Sequence, residues 1–153
     1  MCLHEQTFGE AVDIGMGRPQ VGDVIGPAIY VPTLTRLVMY AAAMWEFQRI
    51  HFDPDWARSE GLDAPIVHGP LLGTYLAQTV RAWAGDARVR SIGWRNENVA
   101  QVDEQLEVAG EVVRVDDVDG AAWSATCNLS IHTVDGPRVL SGRATVCGER
   151  GGA

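Results

Sequence analysis

The chain has no apolar run approaching the ~18 residues that a helical membrane span requires. Its amino end, MCLHEQTFGEAVD, is acidic and lacks an apolar core, so no secretion signal is expected. Positive charge is scarce: 12 basic residues stand against 20 acidic ones, for a formal charge of −8. That balance argues against general nucleic-acid binding, which needs a basic footprint, and against attachment to an anionic membrane. Cysteine is scarce as well. Cys2, Cys127 and Cys147 are odd in number and far apart, which fits free thiols in a reducing, cytoplasmic compartment. Cys2-x-His4 and Cys127…His132 lack the paired spacing of zinc ligands, so no metal site is expected. Repeats, low-complexity runs and Pro/Ser-rich linkers are missing too. A single domain over residues 1–153 is the expectation, large enough to bury roughly two-thirds of its unfolded surface.

What is present has the balance of an ordinary globule, 46% hydrophobic and 21% charged. Residues 1–22, rich in glycine and proline, are expected to wrap the surface. Residues 23–32 (DVIGPAIYVP) read as a strand. A helical pattern follows, with Leu34, Leu37, Val38, Ala41 and Trp45 on one stripe and Glu46 at its border. After a polar loop over 51–68, Gly69-Pro70 opens a second helix with Leu72, Leu76, Val80 and Trp83 in line and Gly85 as its stop. The period then changes to two in segments 88–96, 104–115, 121–133 and 137–148, the last three joined by the short turns DDVDG and VDG. Trp123, Ala125, Cys127, Leu129 and Ile131 share one face, and the helix over 70–84 is the natural cover for it. The expected fold is α+β, an antiparallel sheet wrapped around a central helix.

Chemistry-bearing residues concentrate in one stretch, WEFQRIHFDPDWARSEGLDAPIVHGP (45–70), which gathers Glu46, His51, Asp53 and His68. Read residue by residue, FDPD is a turn or cap sequence, so Asp53 is expected to be structural. Arg58 is expected to pair with Asp53 or Asp55, and His68 to shape the loop or touch a ligand. Arg88, Arg90 and Arg95 form a local basic run in an acidic chain, either a solvated strand or a contact for phosphate or an acidic carrier.

The segment AAAMWEFQRIHFDPDWARSEGLDAPIVHGPLLGTYLA resembles the hydratase motif of the MaoC-like hot-dog family, which includes (R)-specific enoyl-CoA hydratases and 3-hydroxyacyl-thioester dehydratases. The family's acid, histidine, Asp, Ala-Arg and His-Gly correspond to Glu46, His51, Asp53, Ala57-Arg58 and His68-Gly69. The resemblance implies a hot-dog fold and a dimer, of two like chains or of two different hot-dog chains, whose sheets pair edge to edge. It also implies reversible addition of water at the 2,3 position of an acyl thioester. The substrate is carried on coenzyme A or phosphopantetheine, with no separate cofactor. Glu46 and His51 would hold and activate the water. Backbone N–H groups of Gly69 and Leu71 at the helix start, with His68 and Arg49 nearby, would bind the substrate.

The chain departs from the pattern at three places. The usual Asp is Glu46, whose extra methylene shifts the carboxylate by about an ångström, a displacement that can cost about 100-fold in rate. Gln48-Arg49 replaces Asn-Pro, which is expected to let the first helix run a turn further and to free Arg49 to face the cleft. Asp103-Glu104 replaces the Gly-Asp before the third strand. Two other readings keep the scaffold: a tailoring dehydratase, cyclase or thioesterase, and a non-catalytic subunit of a heterodimeric dehydratase.

Overall fold

The computed structural model describes residues 18–149 apart from 119, 121 and 135. Most of the segment expected to wrap the surface, and Cys2, lie outside the described residues. The portion that is described runs along the sheet: Gly22 N–H donates to Val112 C=O at 2.8 Å, and Arg18 pairs with Asp117 at 2.9 Å.

In chain order the elements are β1 (Val24–Tyr30), α1 (Leu34–Met44), a 3-10 turn (Arg49–His51), α2 (Pro54–Ser59) and α3 (Gly69–Ala84). Four strands follow: β2 (Arg88–Asn96), β3 (Leu106–Val118), β4 (Ala122–Thr133) and β5 (Arg138–Glu149). They form one five-stranded antiparallel sheet in the order β1-β3-β4-β5-β2. The inward residues of β4 expected from period two, Trp123, Ala125, Cys127, Leu129 and Ile131, are all buried. Their cover is α3, whose Leu72, Leu76, Val80 and Trp83 are buried against the sheet. A fully buried leucine contributes about 1.5–3 kcal/mol relative to an exposed one, so this helix is held chiefly by its apolar stripe.

One sequence expectation needs correction, and the α1 stripe is only partly covered. Of the α1 stripe, only Leu37 and Ala41 are buried; Leu34, Val38 and Trp45 are exposed, Trp45 at 83%. Helical period places residues on a stripe but does not say how wide a face the neighbouring elements cover. The helix also ends at Met44 and is not extended by the loss of proline. Trp45 takes the left-handed conformation (φ 55°), its N–H bonding back to Ala42 C=O at 3.3 Å and that of Glu46 to Ala41 C=O at 2.9 Å. This is the Schellman stop, with tryptophan where glycine is usual. The polar loop 51–68 contains the short helix α2, which periodicity does not reveal because it is one turn and a half long. At the third departure, Asp103 occupies the left-handed region (φ 64°), which Asp tolerates, so the turn keeps the backbone conformation that a glycine there would supply.

Candidate active site

The segment from Trp45 to Gly69 arcs over the amino end of α3. Its order comes from local caps and from one cross-chain tie. Asp53 caps α2, accepting from Asp55 N–H at 3.0 Å and Trp56 N–H at 3.1 Å, as its turn-forming sequence suggests. Arg58 pairs with Asp55 at 2.7 Å, one of the two partners expected for it. Farther on, residues 65–67 dock on residues 100–102: Val67 N–H donates to Ala100 C=O and Val102 N–H to Pro65 C=O, both at 2.8 Å. That short pairing fixes the approach of His68 and Gly69 to the helix.

His51 ends the 3-10 turn and is buried. Its Nδ1 lies 2.8 Å from Ile66 C=O, an acceptor only, so Nδ1 is the donor there and Nε2 is the nitrogen left for another partner. His68, at the cap of α3, stacks on His51 with ring centroids 3.8 Å apart and planes 22° from parallel. Its other neighbour is the Tyr40 ring at 5.0 Å. His68 is 1% exposed, and neither of its ring nitrogens has a hydrogen-bond partner among the described residues. Burial, and secondarily the nearby His51, lowers its pKa to about 4, so the ring is neutral near pH 7. Glu46 is half-buried just past the end of α1. It makes no direct hydrogen bond or ion pair with His51 among the described residues, and its charge is felt at the Tyr40 hydroxyl. Tyr40 itself is raised mainly by burial, lowered by the Thr74 hydroxyl and raised further by Glu46. Tyr40 thus links Glu46 and Thr74 to His68 and His51, a cluster at the amino end, or mouth, of α3.

At the floor of this mouth, the start of α3 offers fewer backbone donors than its sequence suggests. Leu71 N–H and Leu72 N–H both donate to His68 C=O, at 3.0 and 3.2 Å. Pro70 has none to give. Gly69 N–H, by contrast, has no acceptor among the described residues and points from the positive end of the helix dipole. Leu71 is therefore corrected as a candidate donor, and Gly69 stands.

Arg49 is corrected as well. Its guanidinium is turned away to Asp53 (2.6 and 3.0 Å to one carboxylate oxygen) and lies 4.3 Å over the Trp56 ring. A carboxylate four residues on is a nearer partner than the cleft, and Arg49 accordingly holds the Asp53 carboxyl below the usual range. Arg88, Arg90 and Arg95 are exposed on the edge strand β2 but do not converge. Arg88 pairs across Cys147 and Arg95 across Ser141, with a bulge at Arg90 between them. At about 3.3 Å per residue the first and last lie roughly 20 Å apart. Arg95 precedes Asn96 in the chain but sits on the outer face of the sheet, opposite Ser141.

Asn96 belongs to no motif, and no local pattern singles it out. Its side chain packs directly on Gly69: a β-carbon at residue 69 would meet Asn96 Nδ2 at 2.4 Å. Tyr75, Trp83 and Trp123 are core residues, with Tyr75 stacked on Tyr30 at 4.4 Å. An open groove lies instead along the outer face of α3, lined by Thr74, Ala77, Gln78, Arg81, Ala82 and Gly85. Among the described residues no group of three His, Cys, Asp or Glu side chains could hold a metal ion, and no helix is long and apolar enough to cross a membrane. Cys127 is buried, which pushes its thiol up to about 11 and leaves it inert.

Comparison with known proteins places this geometry. The ChsH1-ChsH2 complex of Mycobacterium tuberculosis shares the fold with TM-score 0.73 at 24% identity, over 83% of this chain and 96% of that one. The (R)-hydratase of A. caviae involved in PHA biosynthesis aligns with TM-score 0.75 at 21% identity, over 84% and 96%. A MaoC-like dehydratase from Rhodospirillum rubrum does so with TM-score 0.75 at 16% identity, over 88% and 96%. No curated protein matches the chain. Residues 26–102, half of the sequence and spanning both the acid–histidine segment and α3, match the family described as hydroxyacyl-thioester dehydratase type 2. The fold is shared with hot-dog proteins, and the family match covers half of the sequence: the chain belongs to the hydroxyacyl-thioester dehydratase type 2 family.

Proposed function

We propose that the chain is a hydro-lyase that adds water across, or removes it to form, the 2,3 double bond of an acyl thioester. The observation that carries this reading is the start of α3, where the unpaired Gly69 N–H follows His68, which stacks on His51, and the half-buried Glu46 acts on the Tyr40 ring that packs on His68. In hydration, Glu46 and His51 hold one water. His51 Nε2 takes a proton from it as the oxygen adds to C3, and that proton passes to C2, so both hydrogens of the water end in the 3-hydroxyacyl product. Negative charge gathering on the thioester oxygen between these events is met by Gly69 N–H and the helix dipole. A general acid–base pair of this kind contributes typically about 10²–10⁴-fold. Coenzyme A or a phosphopantetheine arm enters as part of the substrate.

The test is hydration of crotonyl-CoA followed by loss of enoyl absorbance and by thiol release. Absorbance loss without thiol is expected, with Glu46→Gln and His51→Ala each lowering kcat by about 10²–10⁴. Thiol release would make the protein a thioesterase, and activity unchanged in both variants would overturn the site.

The same reading extends to assembly, with a second hot-dog chain pairing along β2. The β1 edge is interrupted by Pro27 and a bulge between Ile25 and Ala28, whereas β2 presents nine residues at the opposite edge. Its arginines disfavour a two-fold pairing with a copy of itself, because like charges facing across strands repel. A partner with an acidic edge fits better. Sedimentation of the purified chain should accordingly show self-association that strengthens as salt rises from low ionic strength. A dimer that weakens with salt would count against the idea.

A further inference from the structure

Arg95 and Asn96 end β2, and the two polar residues that follow, Glu97 and Asn98, are committed to Arg138. Arg95 faces the outer side of the sheet, opposite Ser141. Glu97 binds Arg138 at 2.7 Å, and Asn98 donates to Arg138 C=O at 2.8 Å. Backbone N–H groups of Glu97 and Asn98 both bond to Val139 C=O, at 2.8 and 3.1 Å, which pins this strand end. Asn96 lies on the helix-facing side, opposite the buried Leu140, and its carboxamide has no hydrogen bond among the described residues. The amide rests on Gly69 with its nitrogen foremost: a β-carbon there would lie 2.4 Å from Nδ2, 3.3 Å from Cγ and 3.6 Å from Oδ1. Covalent geometry puts a residue's N about 2.5 Å from its Cβ position, so Asn96 Nδ2 is within about 5 Å of Gly69 N. Two donors at that separation can each reach one shared oxygen at about 2.9 Å.

We propose that the Asn96 carboxamide is a second hydrogen-bond donor to the thioester oxygen, acting together with Gly69 N–H. This rests on the hydro-lyase reading above and deepens it. When the water oxygen bonds to C3, the π electrons of the double bond move onto the thioester oxygen. They return when C2 takes its proton. Nothing is consumed, and the donor only has to be in place when the charge appears. The pinned strand end provides that preorganisation. Residue 69 then needs to be glycine for a specific reason: a side chain would displace the amide from its place beside the N–H. The donor is neutral, so it rewards the developing oxyanion more than the uncharged thioester.

Asn96→Asp keeps the shape and removes the donors, and Asn96→Ala removes the group altogether; circular dichroism checks that both fold. With crotonyl-CoA, kcat is expected to fall about 10²–10³-fold in Asn96→Ala and at least as far in Asn96→Asp, while KM moves less than about threefold. Independently of turnover, the carbonyl stretch of bound butyryl-CoA, which has no double bond to hydrate, should sit at lower frequency in the wild type than in either variant. Equal carbonyl frequencies, or no bound-state shift in the wild type, would overturn the assignment even if no hydration is detected. If Glu46→Gln and His51→Ala abolish hydration while Asn96→Ala leaves kcat within about threefold, the donor fails and the hydro-lyase reading survives.

Discussion

In β4, local preference and tertiary position agree at every residue from Trp123 to Ile131: inward side chains are apolar and buried, and outward ones are serine, threonine or asparagine. Between Trp45 and Gly69 they conflict. A bulky tryptophan occupies a left-handed conformation, and a fully buried histidine leaves both nitrogens unbonded. One region is built of consistent choices, and the other holds residues where isolated preference would not put them. The contrast shows where this fold spends its stability. A well-packed sheet and central helix tolerate a costly segment, and that segment lies over the unpaired end of α3, where chemistry is proposed.

The comparison can be tested by disturbing each side. The largest effect belongs to the sheet. Ile131→Ala, at a position with no exposed surface, should destabilise by about 2–5 kcal/mol in urea unfolding, while the folded fraction keeps its activity. A loss of kcat in the folded fraction would show that the two regions are not separable.

Next in size is the acid limb of stability set by His68. Its folded pKa of about 4 lies below the ordinary value of 6.5, so the unfolded chain takes up the proton first. Stability from this group is present in full above pH 6.5 and is lost as pH falls toward about 4, by roughly 3 kcal/mol at most. His68→Phe retains a ring against His51 and should flatten that part of the pH–stability curve. An unchanged slope would mean that other groups set it.

The smallest effect is expected at Trp45. Glycine there removes the left-handed penalty, so Trp45→Gly should raise stability by about 1 kcal/mol, less whatever the exposed ring gains from its edge contact with Phe47 at 5.3 Å. A net destabilisation would mean that the Trp45–Phe47 contact outweighs the backbone strain.

Much of this molecule was legible before any coordinates. Period two located four strands, the helical stripe located α3, and FDPD announced a cap that Asp53 does form. These signals are local, since each depends on neighbours a few residues away. The errors were also physical in origin. Arg49 turns from the cleft because Asp53, four residues on, is a partner within reach. Only Leu37 and Ala41 of the α1 stripe are buried, since period says nothing about what stands opposite. Leu71 was counted as a free donor, although a tight first turn returns its N–H to His68 C=O.

By itself the sequence determined the order of elements, which face of the long strand β4 is apolar, and where α3 begins. Those features follow from periodicities, caps and residue chemistry that act over a few residues. Only the tertiary structure decided that His68 stacks on His51, that Gly69 retains the unpaired N–H, and that Asn96 from a later strand rests on that glycine. Such contacts join residues distant in the chain. They exist because the sheet curls around α3 and brings the end of β2 to the helix start, a closure that no local pattern encodes.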